Sequence, residues 1–279
     1  MGDHGDTTPA PAAAGVLHLG AGPGLVLAVH CSLARARAFA GLAEALSGRA
    51  RVVAHDLPGH GRGPDYAGAH HPGGDYLSQA LAPVLAEIDA APAPPLLLGH
   101  SFGGVVALAA ALARPGRLAG LALVEPVLFA ALRGHPLWDR HMADAAGFRA
   151  DLAAGRVEAA TRGFLDLWGG GQAWADLPAR QRAYFCARMP LMAAIEWVND
   201  TDPAAILPRL GTLSLPVLLL RGALSPPTGA EVVRILARAI PGAREQVVAG
   251  AGHMLPVTHP AALAAALAAA FPGLGRSGP

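Results

Sequence analysis

The chain of 279 residues has no lysine: all 21 of its basic residues are arginine. That absence removes the phosphate-binding lysine of a nucleotide-binding glycine loop, the strand lysine of protein kinases and every mechanism built on a lysine Schiff base. Charge of either sign is scarce at 15%, and 20 acidic residues leave a formal net charge of +1. Without a basic cluster there is no electrostatic footprint for a phosphate backbone, so nucleic acid is not an expected partner. Cysteine is almost missing. Cys31 and Cys186 stand far apart, without the spacing of a structural zinc site, and read as free thiols of a reducing compartment. Neither a metal nor an organic cofactor is expected. Long apolar runs are missing too. The alanine-rich stretch ending at Phe271 is the longest and falls short of the roughly 18 residues needed to cross a bilayer. Residues 1–14 carry Asp3 and Asp6 and no apolar segment of a secretion signal, so they are expected to form a flexible tail on a cytoplasmic protein that does not enter membranes.

What is present is an apolar share of 53% arranged in sharp periods, the mark of a folded chain. Short β-rich runs at 16–19, 25–29, 51–54, 96–98, 118–124, 216–220 and 245–248 alternate with helical patterns at 34–46, 77–88, 104–113, 229–240 and 260–271. This rhythm predicts an α/β fold with a mostly parallel, doubly wound sheet whose strands are apolar because both faces are covered. The rhythm breaks between residues 126 and 212, where helical stretches carry Trp138, Trp168, Trp174 and Trp197. The expected organisation is a core of 15–125 and 213–279 interrupted by a helical cap at 126–212.

The chemistry concentrates at Gly99-His100-Ser101-Phe102-Gly103, placed between a buried strand and an apolar helix. In such an elbow the serine sits on a turn too tight for flanking side chains, and its hydroxyl is held at a helix N-terminus. A serine hydroxyl needs a base within hydrogen-bond reach, itself oriented by a third group. Twelve histidines compete for that role. His253 is the best placed, in a glycine-flanked loop after the last strand.

Four ordered stretches carry a resemblance to the α/β-hydrolase fold family over about residues 15–272: the loop His30-Cys31-Ser32-Leu33, the turn from Asp56 to Gly63, the elbow, and Gly250 to Met254. The resemblance implies an acyl-enzyme on Ser101, His253 as general base, and an oxyanion held by the N–H groups of Phe102 and Ser32, with Leu33 as the neighbouring alternative. Cys31 stands where the family usually has glycine. The acid also departs from the commoner pattern of an aspartate after the family's seventh strand, because Arg221 to Thr228 contains no carboxylate. One strand earlier Glu125 ends a buried run. Haloalkane dehalogenases, a branch of the same family, keep their acid after the sixth strand, so Glu125 is the expected orienter of His253, with Glu231 the competitor. Asp56 is expected to tie loops together.

Serine at the elbow argues against dehalogenase or epoxide hydrolase chemistry, which uses aspartate there. The expected activity is cleavage of a small apolar carboxylic ester, thioester or lactone. Carbon–carbon bond hydrolysis or perhydrolysis by the same residues and a non-catalytic ligand receptor are the alternatives. His30, Leu33, His100, Phe129, Trp138, Trp168, Trp197 and Met254 are the candidate substrate contacts, and cap residues such as Leu132, Phe164, Leu165, Leu191 and Met192 could join an apolar pocket.

Overall fold

The computed structural model describes residues 15–66, 68 and 73–275, so the tail expected at 1–14 lies outside the described residues. Among the described residues seven strands, β1 (Val16–Leu19), β2 (Gly24–Val29), β3 (Ala50–His55), β4 (Leu96–His100), β5 (Gly120–Val124), β6 (Val217–Gly222) and β7 (Arg244–Val248), form one sheet in the order β1-β3-β2-β4-β5-β6-β7. β1 runs antiparallel to β3, and the remaining pairings are parallel. The helices are α1 (Ala40–Ala45), α2 (Tyr76–Ala90), α3 (Phe102–Ala113), α4 (Leu137–Ala153), α5 (Val157–Trp168), α6 (Ala179–Cys186), α7 (Met192–Thr201), α8 (Pro227–Ala239), α9 (Leu255–Thr258) and α10 (Pro260–Ala270).

Successive strand residues point to opposite faces, and the strands divide their side chains accordingly. Val26, Ala28, Leu98 and Leu220 pack with Leu42 of α1 and Leu263 and Leu267 of α10. Leu27, Val29, Leu97 and Leu219 face the other way, onto α2, α3 and α8. α3 is buried almost all round, which explains its Ala/Val/Leu sequence with no polar stripe. α4 to α7 lie between β5 and β6 in sequence, and Phe148, Ala160 and Ile195 extend the second core layer rather than forming a separate one.

Four details differ from the sequence expectation. The helix expected at 34–46 is a 3-10 turn, Ala36–Phe39, followed by α1 over Ala40–Ala45 only. α3 begins at Phe102 rather than 104, because the chain enters the helix directly from the elbow. The single turn α9 follows His253 at once; it is too short for its periodicity to register. β7 is exposed over its first four residues, because it is an edge strand and its sequence Arg-Glu-Gln-Val faces water.

Candidate active site

Strand register sets the stage. Val29 pairs with His55 and with Gly99, His100 with Val124, Val124 with Leu220, and Gly222 with Val248, so the carboxyl ends of these strands share one rim. Sheet order reverses between β2 and β4, the position where open α/β sheets gather ligands. Ser101 sits there at φ 56°, ψ −119°, a conformation rarely tolerated by a side-chain-bearing residue. Its N–H is tied to Val124 O at 2.9 Å. The flanking glycines are obligatory for contact reasons. A Cβ on Gly99 would lie 2.3 Å from Gly103 O, and one on Gly103 would lie 2.1 Å from Val29 O.

Glu125 follows β5, the fifth strand in this chain, at φ 51° and 1% exposed. Its Oε1 accepts from Gly222 N–H at 2.7 Å and from the Ser225 hydroxyl. Its Oε2 lies 3.3 Å from His253 Nδ1. With Nδ1–H directed at the carboxylate, Nε2 of His253 is the acceptor nitrogen. Ser101 and His253 line the same two cavities. No hydrogen bond joins their side chains among the described residues, a looseness common in free enzymes. Glu231 turns elsewhere, 2.9 Å from Arg234 and 3.9 Å from His135. Asp56 accepts from Ala36 N–H at 2.7 Å and Arg62 N–H at 2.8 Å, and so ties two loops.

Phe102 N–H is the first amide of α3 and has no acceptor within its own helix. Ser32 N–H has no bonded acceptor among the described residues. Leu33 N–H, by contrast, donates to His60 Nε2 at 3.0 Å, which takes it out of the oxyanion-donor role, although Leu33 is among the residues lining the larger cavity. The left-handed turn of this loop falls at Leu33, φ 60°, so Cys31 needs no glycine-like backbone. Burial pushes the Cys31 thiol up to about 12, leaving it protonated and inert.

His30 and His100 lie behind the site rather than on its walls. The His30 ring donates from Nδ1 to Cys31 O at 2.7 Å and accepts Leu57 N–H at 3.0 Å. His100 donates to His253 O at 2.8 Å and so holds the backbone of the histidine loop. Burial drives the pKa of His30 down to about 4 and that of His100 down to about 3, so both rings are neutral struts.

The larger cavity, about 600 Å³, opens outward between Leu33, Arg35, Tyr184, Met254 and Val257. The smaller, about 30 Å³, runs inward beneath α4 and α7. Ser32, Ser101, Phe164, Trp168 and His253 belong to both. The Trp168 ring meets His253 edge-on at 4.8 Å. Phe129 and Met192 line the inner cavity, and Leu165 and Met254 the outer one. Trp138, Trp197, Leu132 and Leu191 line neither. Trp138 instead packs beside His141 and under Arg133, and Trp197 packs against the core.

Several wall residues escaped the sequence reading. His141 stacks on Phe129 at 4.0 Å and bonds Asp200 Oδ1 at 2.8 Å. The spacing of Leu137, His141, Ala145 and Phe148 on one helix face was the available signal. Glu196 and Asn199 reach the same inner cavity from α7. Burial raises the Glu196 carboxyl to about 7, a shift opposed by Arg149 at 3.1 and 3.2 Å. Ser225, in the stretch that lacks a carboxylate, supports Glu125 instead.

A profile of the alpha/beta hydrolase family matches residues 25–266. The chain is 30% identical to the pimeloyl-[acyl-carrier protein] methyl ester esterase of Edwardsiella ictaluri, across 89% of this chain and 93% of the relative. It is likewise 30% identical to lipase LipV of Mycobacterium tuberculosis, across 88% and 92%. Its fold is similar to that of MenH from S. aureus, with a TM-score of 0.70 at 18% identity, over 94% of this chain and 99% of that one.

Proposed function

The chain belongs to the alpha/beta hydrolase family, and from that premise we propose that it is a serine hydrolase of carboxylic esters or thioesters, with residues 126–212 acting as the cap over its pocket. Ser101 Oγ attacks the carbonyl carbon while His253 Nε2 takes its proton. Glu125, held by Gly222 N–H and the Ser225 hydroxyl, fixes the ring and balances the imidazolium that forms. The amides of Phe102 and Ser32 receive the developing oxyanion. His253 then delivers its proton to the leaving oxygen or sulfur, and water repeats the sequence to free the acid and restore Ser101. The observation that carries this reading is the convergence of Ser101, His253 and Glu125 at one rim, with two cavities meeting at the serine. The names of two relatives, an esterase and a lipase, support ester substrates.

The leaving group belongs in the outer cavity. Met254, Val257 and Thr258, all from the loop and helix that follow His253, line that cavity, and the histidine must reach the departing atom. The test pairs a fluorophosphonate probe with p-nitrophenyl acetate. Stoichiometric labelling and turnover are expected, both abolished in Ser101→Ala. Folded wild-type protein that neither labels nor turns over ester would favour the ligand-receptor reading instead.

A further inference from the structure

The inner cavity has a polar end that the proposed chemistry does not use. Met192, Glu196 and Asn199 repeat at helical spacing along α7 and present one face to the cavity. Asn199 is 4% exposed, and its Oδ1 has no hydrogen-bond partner among the described residues. A buried amide oxygen left unpaired costs free energy, and native proteins rarely keep one without a reason. The neighbouring polar groups are already engaged with one another. Arg149 bonds Glu196 on both carboxylate oxygens and Asp200 Oδ2 at 2.7 Å, and His141 takes Asp200 Oδ1. The one guanidinium of the cluster is therefore shared by two carboxylates and is not available for a third. A substrate group ending in a carboxylate would meet two carboxyl groups whose shared cation is already engaged.

Building on the serine-hydrolase reading, we propose that Asn199 is a specificity residue and that the substrate's acyl group is short and carries a hydroxyl that pairs with the Asn199 side-chain amide. Phe129, Phe148, Phe164, Trp168 and Met192 wall the passage from Ser101 inward, so the acyl chain is gripped by apolar contacts before its polar end is read. The volume of about 30 Å³ holds roughly two water-sized groups, room for the hydroxyl-bearing end of a short acyl chain and not for a fatty acyl chain. The narrow inner cavity holds the acyl-enzyme while the alcohol departs through the wider outer one.

The test compares p-nitrophenyl 3-hydroxybutyrate with p-nitrophenyl 3-methylbutyrate, which differ by hydroxyl against methyl at nearly equal size. The wild-type enzyme is expected to favour the hydroxy ester in kcat/KM by about tenfold or more, since a site built to pair a hydroxyl rejects its apolar isostere. Asn199→Leu is expected to bring the ratio to one or below. A wild-type ratio near one, or an unchanged ratio in Asn199→Leu, overturns the proposal, and the wild-type measurement decides even if the variant fails to fold. Hydrolysis of p-nitrophenyl acetate without hydroxyl selectivity would remove this inference and leave the serine-hydrolase reading intact. Failure of all three esters together with absent fluorophosphonate labelling would remove both.

Discussion

Glu125 accepts from a backbone amide, a serine hydroxyl and an imidazole while almost wholly buried, so neither its position nor its charge can change cheaply. Glu125→Gln would place an amide donor against existing donors and favour the wrong histidine tautomer. Its kcat on p-nitrophenyl acetate is expected to fall by about 10³–10⁴-fold. Glu231→Gln breaks only its contacts with Arg234 and His135, away from the serine, and should stay within a factor of two or so of wild type. Steady-state kinetics on the two purified variants checks both expectations, and the reverse ranking would reassign the acid. Ser225→Ala, which removes one of the three donors, should fall between them.

At the scale of elements, the elbow and the contact of α6 with the strand-end loops matter most. The β4–α3 junction works because Gly103 lets the helix start against β2. Gly103→Ala is expected to cost about 3 kcal/mol or more, since the added carbon meets the Val29 carbonyl rather than a movable side chain. Urea unfolding measures that loss. Tyr184 fastens α6 to the loops that follow β2 and β3. Its hydroxyl donates to Ala34 O at 2.7 Å and accepts Gly61 N–H at 3.0 Å, and Arg188 lies over its ring at 3.5 Å from the centroid. Tyr184→Phe removes both hydrogen bonds and should destabilise by about 1–2 kcal/mol. Because Tyr184 also walls the outer cavity, KM for esters with a bulky alcohol should rise more than kcat changes.

For the whole molecule, buried histidines set the response to acid. Burial lowers His30 and His55 to about 4 and His60 and His100 to about 3. In the unfolded chain each titrates near 6.5. Between those values the unfolded state binds protons that the folded state refuses. The stability these groups contribute is therefore complete above about pH 6.5 and is lost as the pH falls toward their folded values. Glu196 acts in the opposite sense, because its folded value of about 7 lies above its ordinary 4.5 and the folded state gains from protonation over the same interval. Four histidines outweigh one carboxyl. The free energy of unfolding should drop by several kcal/mol, at about 1.4 kcal/mol per pH unit for each net proton, between pH 6.5 and 5. Urea midpoints across that range test it, and a flat profile would mean that the four rings are not buried and neutral.

The sequence by itself determined the elements and the elbow, because both are local matters. A period of two or of 3.6 can be read from neighbouring residues, and a glycine-flanked serine between strand and helix is a steric requirement written within five positions. It also set the order of the strand-end loops. Tertiary structure decided everything that depends on two distant segments meeting. Glu125 and His253 are 128 residues apart, and the parallel register of β5, β6 and β7 brings them within 3.3 Å. His30 follows β2 and His100 ends β4, and their turn away from the cavities is fixed by the carbonyls and amides that claim them. For α4 and α7 a helical period says at most which side is covered and never what covers it. Packing alone put His141, Glu196 and Asn199 against the serine's inner cavity.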